Sequence, residues 1–300
     1  MSVSQISFRT LLPELFAALK AFQSSSAKFG IVHSVSAPLS KNSKPSSPKT
    51  LLILDSSFNP PSRAHLTLAK SALHKDILRH YEPPYRFLLL FSTQNADKAP
   101  SAASFDQRLA LMTVFAQDLI KDLQQSDQHD PPDVDIGLTT APYYTDKSTA
   151  ISTEGKDAYP DSPRHIHIMG FDTITRFLAP KYYKDFDPPL SALNPYFDAG
   201  HELRVTLRPS NEYGFVEDQK AFISKLGRGE LEAEGGKPRW AKQIATVEAS
   251  DGVGVSSTRV RKAAKAQRWD EVSELCTQGI ADAVRENSIY EGDDRGAKMA

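Results

Sequence analysis

The residues of this chain that could do chemistry cluster in two segments far apart in sequence. The first, SSFNPPSRAH at 56–65, follows the apolar run LLIL at 51–54 and contains His65. The second, VSSTRVR at 255–261, places hydroxyl side chains at the start of a predicted helix. Helix N-termini offer free backbone N–H groups and a partial positive charge to anions. Together the segments predict a site for the phosphates of a nucleoside triphosphate, without a Walker lysine loop.

The first segment predicts how His65 is positioned. Pro60 and Pro61 stiffen the turn and remove backbone donors, and Ser62 can cap the helix that follows. His65 then lies at the helix N-terminus, where a neutral or cationic imidazole could donate to a phosphate oxygen. Such a donor stabilises charge that develops on a phosphoryl group. The alternative is structural: Ser62 only caps the helix and His65 only packs.

The second segment adds further candidate phosphate ligands. Ser256, Ser257 and Thr258 can cap backbone N–H groups and can also hydrogen-bond phosphate. Arg261 lies one turn into the predicted helix, and its planar guanidinium matches a pair of phosphate oxygens. Taken alone, this segment is equally typical of a capped basic helix without a ligand.

A third candidate is the turn after the predicted strand at 165–170. Gly170 ends this strand and allows close approach of a ligand to the backbone. Asp172 could cap the next helix or accept hydrogen bonds from ribose hydroxyls. The two roles do not exclude each other, and the sequence leaves both open.

The surrounding elements predict the fold class. Apolar runs typical of strands lie at 51–54, 86–91, 134–138, 165–170, 202–209 and 243–249. Helical patterns lie at 63–80, 104–123, 172–177, 217–226, 256–267 and 270–286. Alternation of strands and helices predicts an α/β protein with a mostly parallel sheet and helices on both faces. Ligands bind such sheets at the carboxyl ends of the strands, where the candidate segments lie.

The predicted organisation has four parts. Residues 1–33 form an N-terminal amphipathic helix and extension that docks on the domain, with a mitochondrial transit peptide as the alternative. Residues 34–49 are a Ser/Pro/Lys linker. Residues 50–292 form the catalytic domain, and residues 293–300 are a tail. The polar stretch at 140–164 receives no element and could cover a site or be disordered.

Composition restricts the partners. The 300 residues carry a net charge of -1, which disfavours nucleic acid as a partner. The single cysteine, Cys276, excludes an intrachain disulfide and a cysteine-based zinc site. No apolar run approaches the roughly 20 residues of a membrane span. We therefore expect a cytoplasmic or nuclear protein, or one in both compartments, without a membrane partner.

The paired segments resemble the nucleotidyltransferase family that carries HxGH and ISSTxxR motifs. Within it, they resemble the fungal-type nicotinamide mononucleotide adenylyltransferases, together with FSTQNADK at 91–98, SFDQRLALM at 104–112 and GFDTITRFLAPKYY at 170–183. The resemblance covers about residues 51–290. It implies a Rossmann-like three-layer α/β/α fold. It also implies attack of the mononucleotide 5′-phosphate on the α-phosphorus of ATP, which yields NAD and pyrophosphate, with Mg²⁺ carried by ATP.

The resemblance also implies roles for individual residues. His65 and Arg261 would be catalytic, and no residue would ligate a metal directly. The ATP-binding set would be Ser57, Phe58, His65, Gly170, Asp172, Ser256, Ser257, Thr258 and Arg261. The mononucleotide-binding set would be Ser57, Lys98, Tyr143, Tyr144 and Tyr183. A homo-oligomer is possible.

Three departures from the family pattern keep other functions open. Ser56 stands where the family has Gly, so its Cβ could crowd the phosphates; Ser62 and Ala64 replace the first His and the Gly of HxGH. An enzyme with another acceptor, such as nicotinic acid mononucleotide or phosphopantetheine, remains an alternative. So do ATP hydrolysis and an ATP-binding adaptor without turnover. A dinucleotide-dependent dehydrogenase is disfavoured because G-x-G-x-x-G does not follow the first strand.

Overall fold

A seven-stranded sheet organises the computed structural model, which describes residues 7–37, 47–93, 103–126, 130–209, 213–249 and 254–291. Its strand order is β1-β4-β3-β2-β5-β6-β7. All neighbouring pairs are parallel except β1 with β4. The strands are β1 (Phe29–Val35), β2 (Thr50–Asp55), β3 (Tyr85–Ser92), β4 (Val134–Thr139), β5 (Arg164–Gly170), β6 (Glu202–Leu207) and β7 (Ile244–Glu248).

Helices cover both faces of this sheet. They are α1 (Phe8–Ser24), α2 (Arg63–Ala72), α3 (Lys75–Leu78), α4 (Phe105–Gln125), α5 (Tyr144–Glu154), α6 (Phe171–Phe177), α7 (Asn194–Asp198), α8 (Val216–Gly227), α9 (Ser257–Lys265), α10 (Trp269–Leu275) and α11 (Gln278–Glu286). Successive residues of β2 point to opposite faces, so Leu52 packs in the cluster beneath α1 and α4, and Leu51 packs with Ile151 of α5. The predicted three-layer α/β fold is confirmed.

The N-terminal segment is part of this domain. Residues Leu11 and Leu15 of α1 are buried in the main core, and β1 pairs antiparallel with β4 at the sheet edge. The sequence analysis did not predict β1, and the boundary placed between residues 33 and 34 falls inside it. The half-buried pattern of this edge strand gives a weak apolar signal. Residues 38–46 of the predicted linker and the tail at 293–300 lie outside the described residues.

Two predicted helices are each divided. The helix predicted at 63–80 is α2 followed by α3, with His74 capping α3 by accepting from the Asp76 N–H at 3.3 Å. The helix predicted at 270–286 is α10 followed by α11, with Cys276 extended between them. The breaks lie at His74 and at Cys276 and Thr277, where the backbone is extended although the apolar spacing continues. In the part of the chain that the structure describes, no helix is both long and apolar enough to span a membrane.

The stretch at 140–164, which received no predicted element, contains α5. This helix buries polar side chains, including Thr145, Lys147 and Ser148, beside Ala150 and Ile151. It consequently lacks the apolar periodicity by which amphipathic helices are recognised. Because buried polar side chains are costly in an apolar core, the polar face of α5 is a candidate part of a functional site.

The strand order creates a crevice between β2 and β5. The chain builds β3 and β4 on one side of β2, and then crosses over to build β5, β6 and β7 on the other side. Loops that leave β2 and β5 therefore diverge, and open α/β sheets bind ligands at such a switch point. Asp55 ends β2 and Gly170 ends β5, so the predicted site segments emerge at this crevice.

Candidate active site

Two adjoining cavities occupy the crevice at the carboxyl ends of β2 and β5. The smaller cavity has a volume of about 240 Å³ and the larger cavity about 500 Å³. Asp55, Ser56 and Thr173 line both of them. These three residues form a shared wall, so molecules in the two cavities would meet there.

The predicted site residues divide between the cavities. The smaller cavity is lined by five members of the predicted ATP set, namely His65, Gly170, Asp172, Ser256 and Ser257. The larger cavity is lined by four members of the predicted mononucleotide set, namely Ser57, Tyr143, Tyr144 and Tyr183. Lys98 lies outside the described residues. Ser57, which was predicted in both sets, lines only the larger cavity, and Phe58, Thr258 and Arg261 line neither. The binding roles of all these residues stay predictions.

His65 supports the start of α2 and also lines the smaller cavity. Its Nδ1 accepts from the Ser62 backbone N–H at 3.0 Å, and its Nε2 lies 2.9 Å from Ser56 Oγ. Burial lowers the pKa of His65 to about 4, and the positive charge of Arg208 acts in the same direction. The imidazole is therefore neutral at neutral pH. Because Nδ1 accepts, the proton is on Nε2, which donates to Ser56 Oγ at the shared wall.

Phe58 supports His65 from the core. Its side chain is fully buried, and its ring centroid lies 5.2 Å from that of the imidazole. Its φ of 44° places the backbone in the left-handed region, where a bulky residue is strained. The Phe58 side chain lines neither cavity, and its predicted contact with ATP stays a prediction.

The segment at 255–261 contacts the loop after β2 directly. Ser257 Oγ donates to the Pro60 carbonyl at 2.8 Å, and Arg261 Nη1 donates to the Asn59 carbonyl at 2.7 Å. Ser256 caps α9 by accepting from the Arg259 N–H at 3.2 Å. These bonds explain why two remote segments can build one site.

Arg261 contacts this loop, and Thr258 contacts Arg261. Arg261 Nη2 donates to Thr258 Oγ1 at 3.2 Å, and neither residue lines the smaller cavity. The expectation that Arg261 faces the ligand assumed only its helical position, whereas its guanidinium is turned to the Asn59 carbonyl. The direct contact of Arg261 with ATP and its catalytic role stay predictions.

The turn after β5 brings a carboxylate to the smaller cavity. A Cβ added at Gly170 would lie 2.8 Å from Asp172 Oδ1, so a larger residue at this position would displace the Asp172 carboxylate. Gly170 is the N-cap of α6 and Asp172 lies in its first turn. Within the described ranges, the Asp172 carboxylate accepts no hydrogen bond, which leaves both oxygens available to ligand hydroxyls.

Aromatic side chains form one side of the larger cavity. The rings of Tyr143 and Tyr183 lie 5.8 Å apart between centroids. Tyr183 is buried and donates to the Phe177 carbonyl at 2.9 Å, whereas Tyr143 is 42% exposed. Tyr144 contacts His167 edge to face at 5.1 Å. A planar ring would find aromatic surface here, as the predicted set requires.

Sequence reasoning missed five charged residues that line the cavities: Asp55, Arg108, Lys147, Arg176 and Arg208. Asp55 directly follows the LLIL run, so the rule that strand ends carry function could have identified it. Lys147 lay in the stretch without a predicted element. No sequence signal indicated that Arg108 and Arg176 face the same space.

The larger cavity contains more positive than negative charge. Arg108 donates from Nε to the Ala103 carbonyl at 3.2 Å, and its guanidinium lies 5.6 Å from the ring centroids of both Phe91 and Phe105. Arg176 is exposed at the cavity. Among the described residues that line this cavity, these two arginines and Lys147 make three cations, against one carboxylate, that of Asp55. Among the described residues, no group of three or more His, Cys, Asp or Glu side chains is arranged to hold a metal ion.

The fold and the paired cavities define a Rossmann-like α/β protein with a two-part site at the switch point of its sheet. The chain is 28% identical, over 242 residues, to a Schizosaccharomyces pombe protein named "Putative nicotinamide mononucleotide adenylyltransferase". The match covers 80% of this chain and 85% of that protein. No family model matches the chain.

Solved structures of a nicotinic acid mononucleotide adenylyltransferase from Plasmodium falciparum are also similar. The complex with NaAD has a TM-score of 0.47 at 11% identity, and the complex with APC has a TM-score of 0.48 at 12% identity. Each match covers 82% of this chain and 98% of the other.

Proposed function

We propose that this protein is a nucleotidyltransferase that transfers AMP from ATP to a pyridine mononucleotide and releases pyrophosphate. The observation that carries the proposal is the shared wall of Asp55, Ser56 and Thr173 between two cavities of different character. Group transfer between two substrates needs such adjacent sites, because proximity and orientation supply much of the rate. The similarity to the Schizosaccharomyces pombe protein supports the same activity.

ATP would occupy the smaller cavity. Ser256 and Ser257 lie at the N-terminus of α9, where hydroxyls and backbone N–H groups suit phosphate. The Asp172 carboxylate would accept from the ribose hydroxyls beside Gly170. Mg²⁺ would be carried by the triphosphate oxygens and would keep several waters, so the chain need not supply a metal cluster.

The pyridine mononucleotide would occupy the larger cavity. Tyr143 and Tyr183 offer aromatic surface to its ring, and the cationic side chains offset its phosphate charge. Either nicotinamide or nicotinic acid mononucleotide fits this chemistry. An assay with each mononucleotide measures the preference between them.

In the reaction, an oxygen of the acceptor phosphate forms a bond to the α-phosphorus of ATP. The bond from that phosphorus to the α–β bridging oxygen breaks, and pyrophosphate leaves with the electron pair. No covalent enzyme intermediate is needed. The Nε2–H group of the neutral His65 would release Ser56 Oγ and donate its hydrogen bond to a phosphate oxygen instead. A preorganised donor of this kind stabilises the charge that develops on the phosphate.

The test is a pyrophosphate-release assay with ATP, Mg²⁺ and each mononucleotide, with identification of the dinucleotide product. His65→Gln is the informative variant, because Gln at this position can keep the capping acceptor for the Ser62 N–H while the imidazole is lost. We expect the rate to be at least about 10²-fold lower, the usual scale for the loss of one charge-stabilising donor. The melting temperature is expected to stay unchanged. If the wild type forms no dinucleotide, the proposed function is overturned. If His65→Gln turns over at a near-normal rate, the role of His65 is overturned.

A further inference from the structure

Asp55 and Lys147 form a buried ion pair at the junction of the two cavities. Lys147 Nζ donates to Asp55 Oδ2, and the side chains are only 5% and 8% exposed, respectively. Asp55 belongs to the shared wall, whereas Lys147 lines the larger cavity and not the smaller one. The ammonium group therefore faces the space assigned to the acceptor, at the end nearest ATP.

This pair is not explained by stability alone. Removal of two charges from water costs several kcal/mol, and a buried pair recovers that cost only when further hydrogen bonds satisfy it. An ammonium has three N–H donors. Within the described residues, Lys147 Nζ donates to Asp55 alone, with the Tyr144 ring 5.1 Å away as additional support. The ammonium thus retains donor capacity beside a cavity.

The electrostatics of the cavity indicate the ligand group that uses this capacity. Asp55 alone would repel any phosphate that reaches the shared wall, and Lys147 neutralises it. Arg108 and Arg176 then leave the larger cavity with an excess of positive charge. A phosphate monoester is the complementary group, since ammonium binds phosphate as a compact charge.

We propose that Lys147 binds the phosphate of the acceptor and that Asp55 is a positioning residue that orients the ammonium group. The inference rests on the proposed function, because it places the attacking phosphate at the wall that both cavities share. Lys147 offsets the repulsion between that phosphate and the triphosphate of ATP, and it holds the nucleophile beside the α-phosphorus.

The test measures binding separately from turnover. Isothermal titration calorimetry with each mononucleotide would be performed on protein saturated with an ATP analogue whose α–β bridge is a methylene. The variant is Asp55→Asn/Lys147→Met, because removal of both charges leaves no buried charge unpaired and preserves folding better than either single change. A thermal melt would verify that it folds. We expect mononucleotide affinity to fall at least about 10-fold, as is typical for loss of a hydrogen bond to a charged group.

Affinity for ATP itself distinguishes this role from general damage. We expect the double variant to bind ATP as tightly as wild type, because the ion pair that it removes is neutral overall and Lys147 does not line the ATP cavity. Lys220→Met/Glu248→Gln removes an exposed Lys–Glu pair outside both cavities and is expected to leave both affinities unchanged. Lys147→Arg is expected to retain part of the mononucleotide affinity.

Two outcomes would overturn the inference, and they are distinguishable. Unchanged mononucleotide affinity in the double variant, with dinucleotide still formed by wild type, would refute the role of Lys147 and leave the proposed function intact. Failure of wild type to bind either mononucleotide, together with absence of product, would refute the proposed function and the inference with it.

Discussion

Arg261 donates a hydrogen bond to the backbone carbonyl of Asn59 at 2.7 Å across 202 residues of sequence. The bond fixes the loop that follows β2 to the start of α9. Ser257 and Tyr290 support the same loop, through the Pro60 carbonyl at 2.8 Å and Asn59 Oδ1 at 3.0 Å. The position of His65 at the shared wall thus depends on contacts made by the C-terminal helices.

Arg261→Ala tests this dependence. Loss of the bond to Asn59 is expected to loosen the loop and lower kcat/KM for ATP at least about 10-fold, since a small misplacement of a catalytic group is costly. Unfolding free energy is expected to fall by about 1–2 kcal/mol. The measurements are steady-state kinetics and urea unfolding. Arg259→Ala, on the same helix but bonded to the Gly254 carbonyl at 2.7 Å, is the control, and equal effects of the two changes would contradict the prediction.

The hydroxyl of Ser56 is expected to restrain activity. It accepts the Nε2–H of His65 at 2.9 Å, so ATP must compete with it for this donor. Ser56→Ala removes the hydroxyl and keeps the Cβ, and Ser56→Gly also removes the Cβ. We expect Ser56→Ala to lower KM for ATP several-fold, on the scale of one hydrogen bond worth about 1 kcal/mol. A further decrease in Ser56→Gly would measure steric crowding; a KM that rises in both variants would show that the serine contacts ATP favourably.

Tyr143 is expected to contribute to acceptor binding without contributing to the fold. It is 42% exposed and stands beside Tyr183 at the larger cavity. Tyr143→Ala is expected to raise KM for the mononucleotide about 2- to 10-fold, the scale of an aromatic pair, with KM for ATP unchanged. Tyr183→Phe, which removes the bond to the Phe177 carbonyl, should instead lower stability by about 1 kcal/mol. Calorimetric melts and substrate titrations would separate the two effects.

Stability is expected to fall steeply in mild acid because histidines are buried in the neutral state. His165 and His201 stack at 4.2 Å, and His167 Nδ1 lies 2.9 Å from Tyr196 Oη. Burial lowers the pKa of His201 to about 4 and holds the pKa values of His165 and His167 well below their usual range. Burial also lowers the pKa of His65, to about 4.

The sign follows from linkage. Below the ordinary histidine pKa of about 6.5 the unfolded chain binds protons that the folded protein does not, so the stabilisation present above that pH is lost as pH decreases towards 4. Each histidine contributes a slope of about 1.4 kcal/mol per pH unit in the lower part of this window. Urea unfolding between pH 7.5 and 5 measures the total slope. His201→Asn can keep an acceptor for the backbone N–H of His165. This variant should reduce the total slope by the contribution of one histidine, and an unchanged slope would contradict the neutral state of His201.

The parts of the molecule that local patterns determine could be predicted. The apolar runs of β2 and β5 identify buried strands, and rules for strand ends and helix N-termini then locate His65, Gly170 and Ser256. The physical reason is that these positions depend on backbone geometry within a few residues. The direction of a long side chain depends on tertiary contacts instead, so the bond of Arg261 to the Asn59 carbonyl could not be predicted from its position on the helix.

Lys147 also could not be predicted from the sequence. A helix that buries a lysine lacks the apolar stripe from which helices are recognised, so the stretch that contains α5 received no element. The partner of the lysine, Asp55, is 92 residues away, and a single sequence does not show such a pairing. Phe58 is similar, because its left-handed backbone and burial are imposed by the packing of the loop.

The bonds to Asn59 and Pro60 also bear on the order in which the protein is made. The last strand of the sheet ends at Glu248. Ser256 and Ser257, which line the smaller cavity, and Arg261, which anchors the loop after β2, all follow it. A domain generally folds as a unit, and α9, α10 and α11 bury Val260, Val272 and Val284 in the main core beside the sheet. A nascent chain that ends at β7 therefore lacks part of the core as well as part of the site, so both are completed only when the final helices have been synthesised.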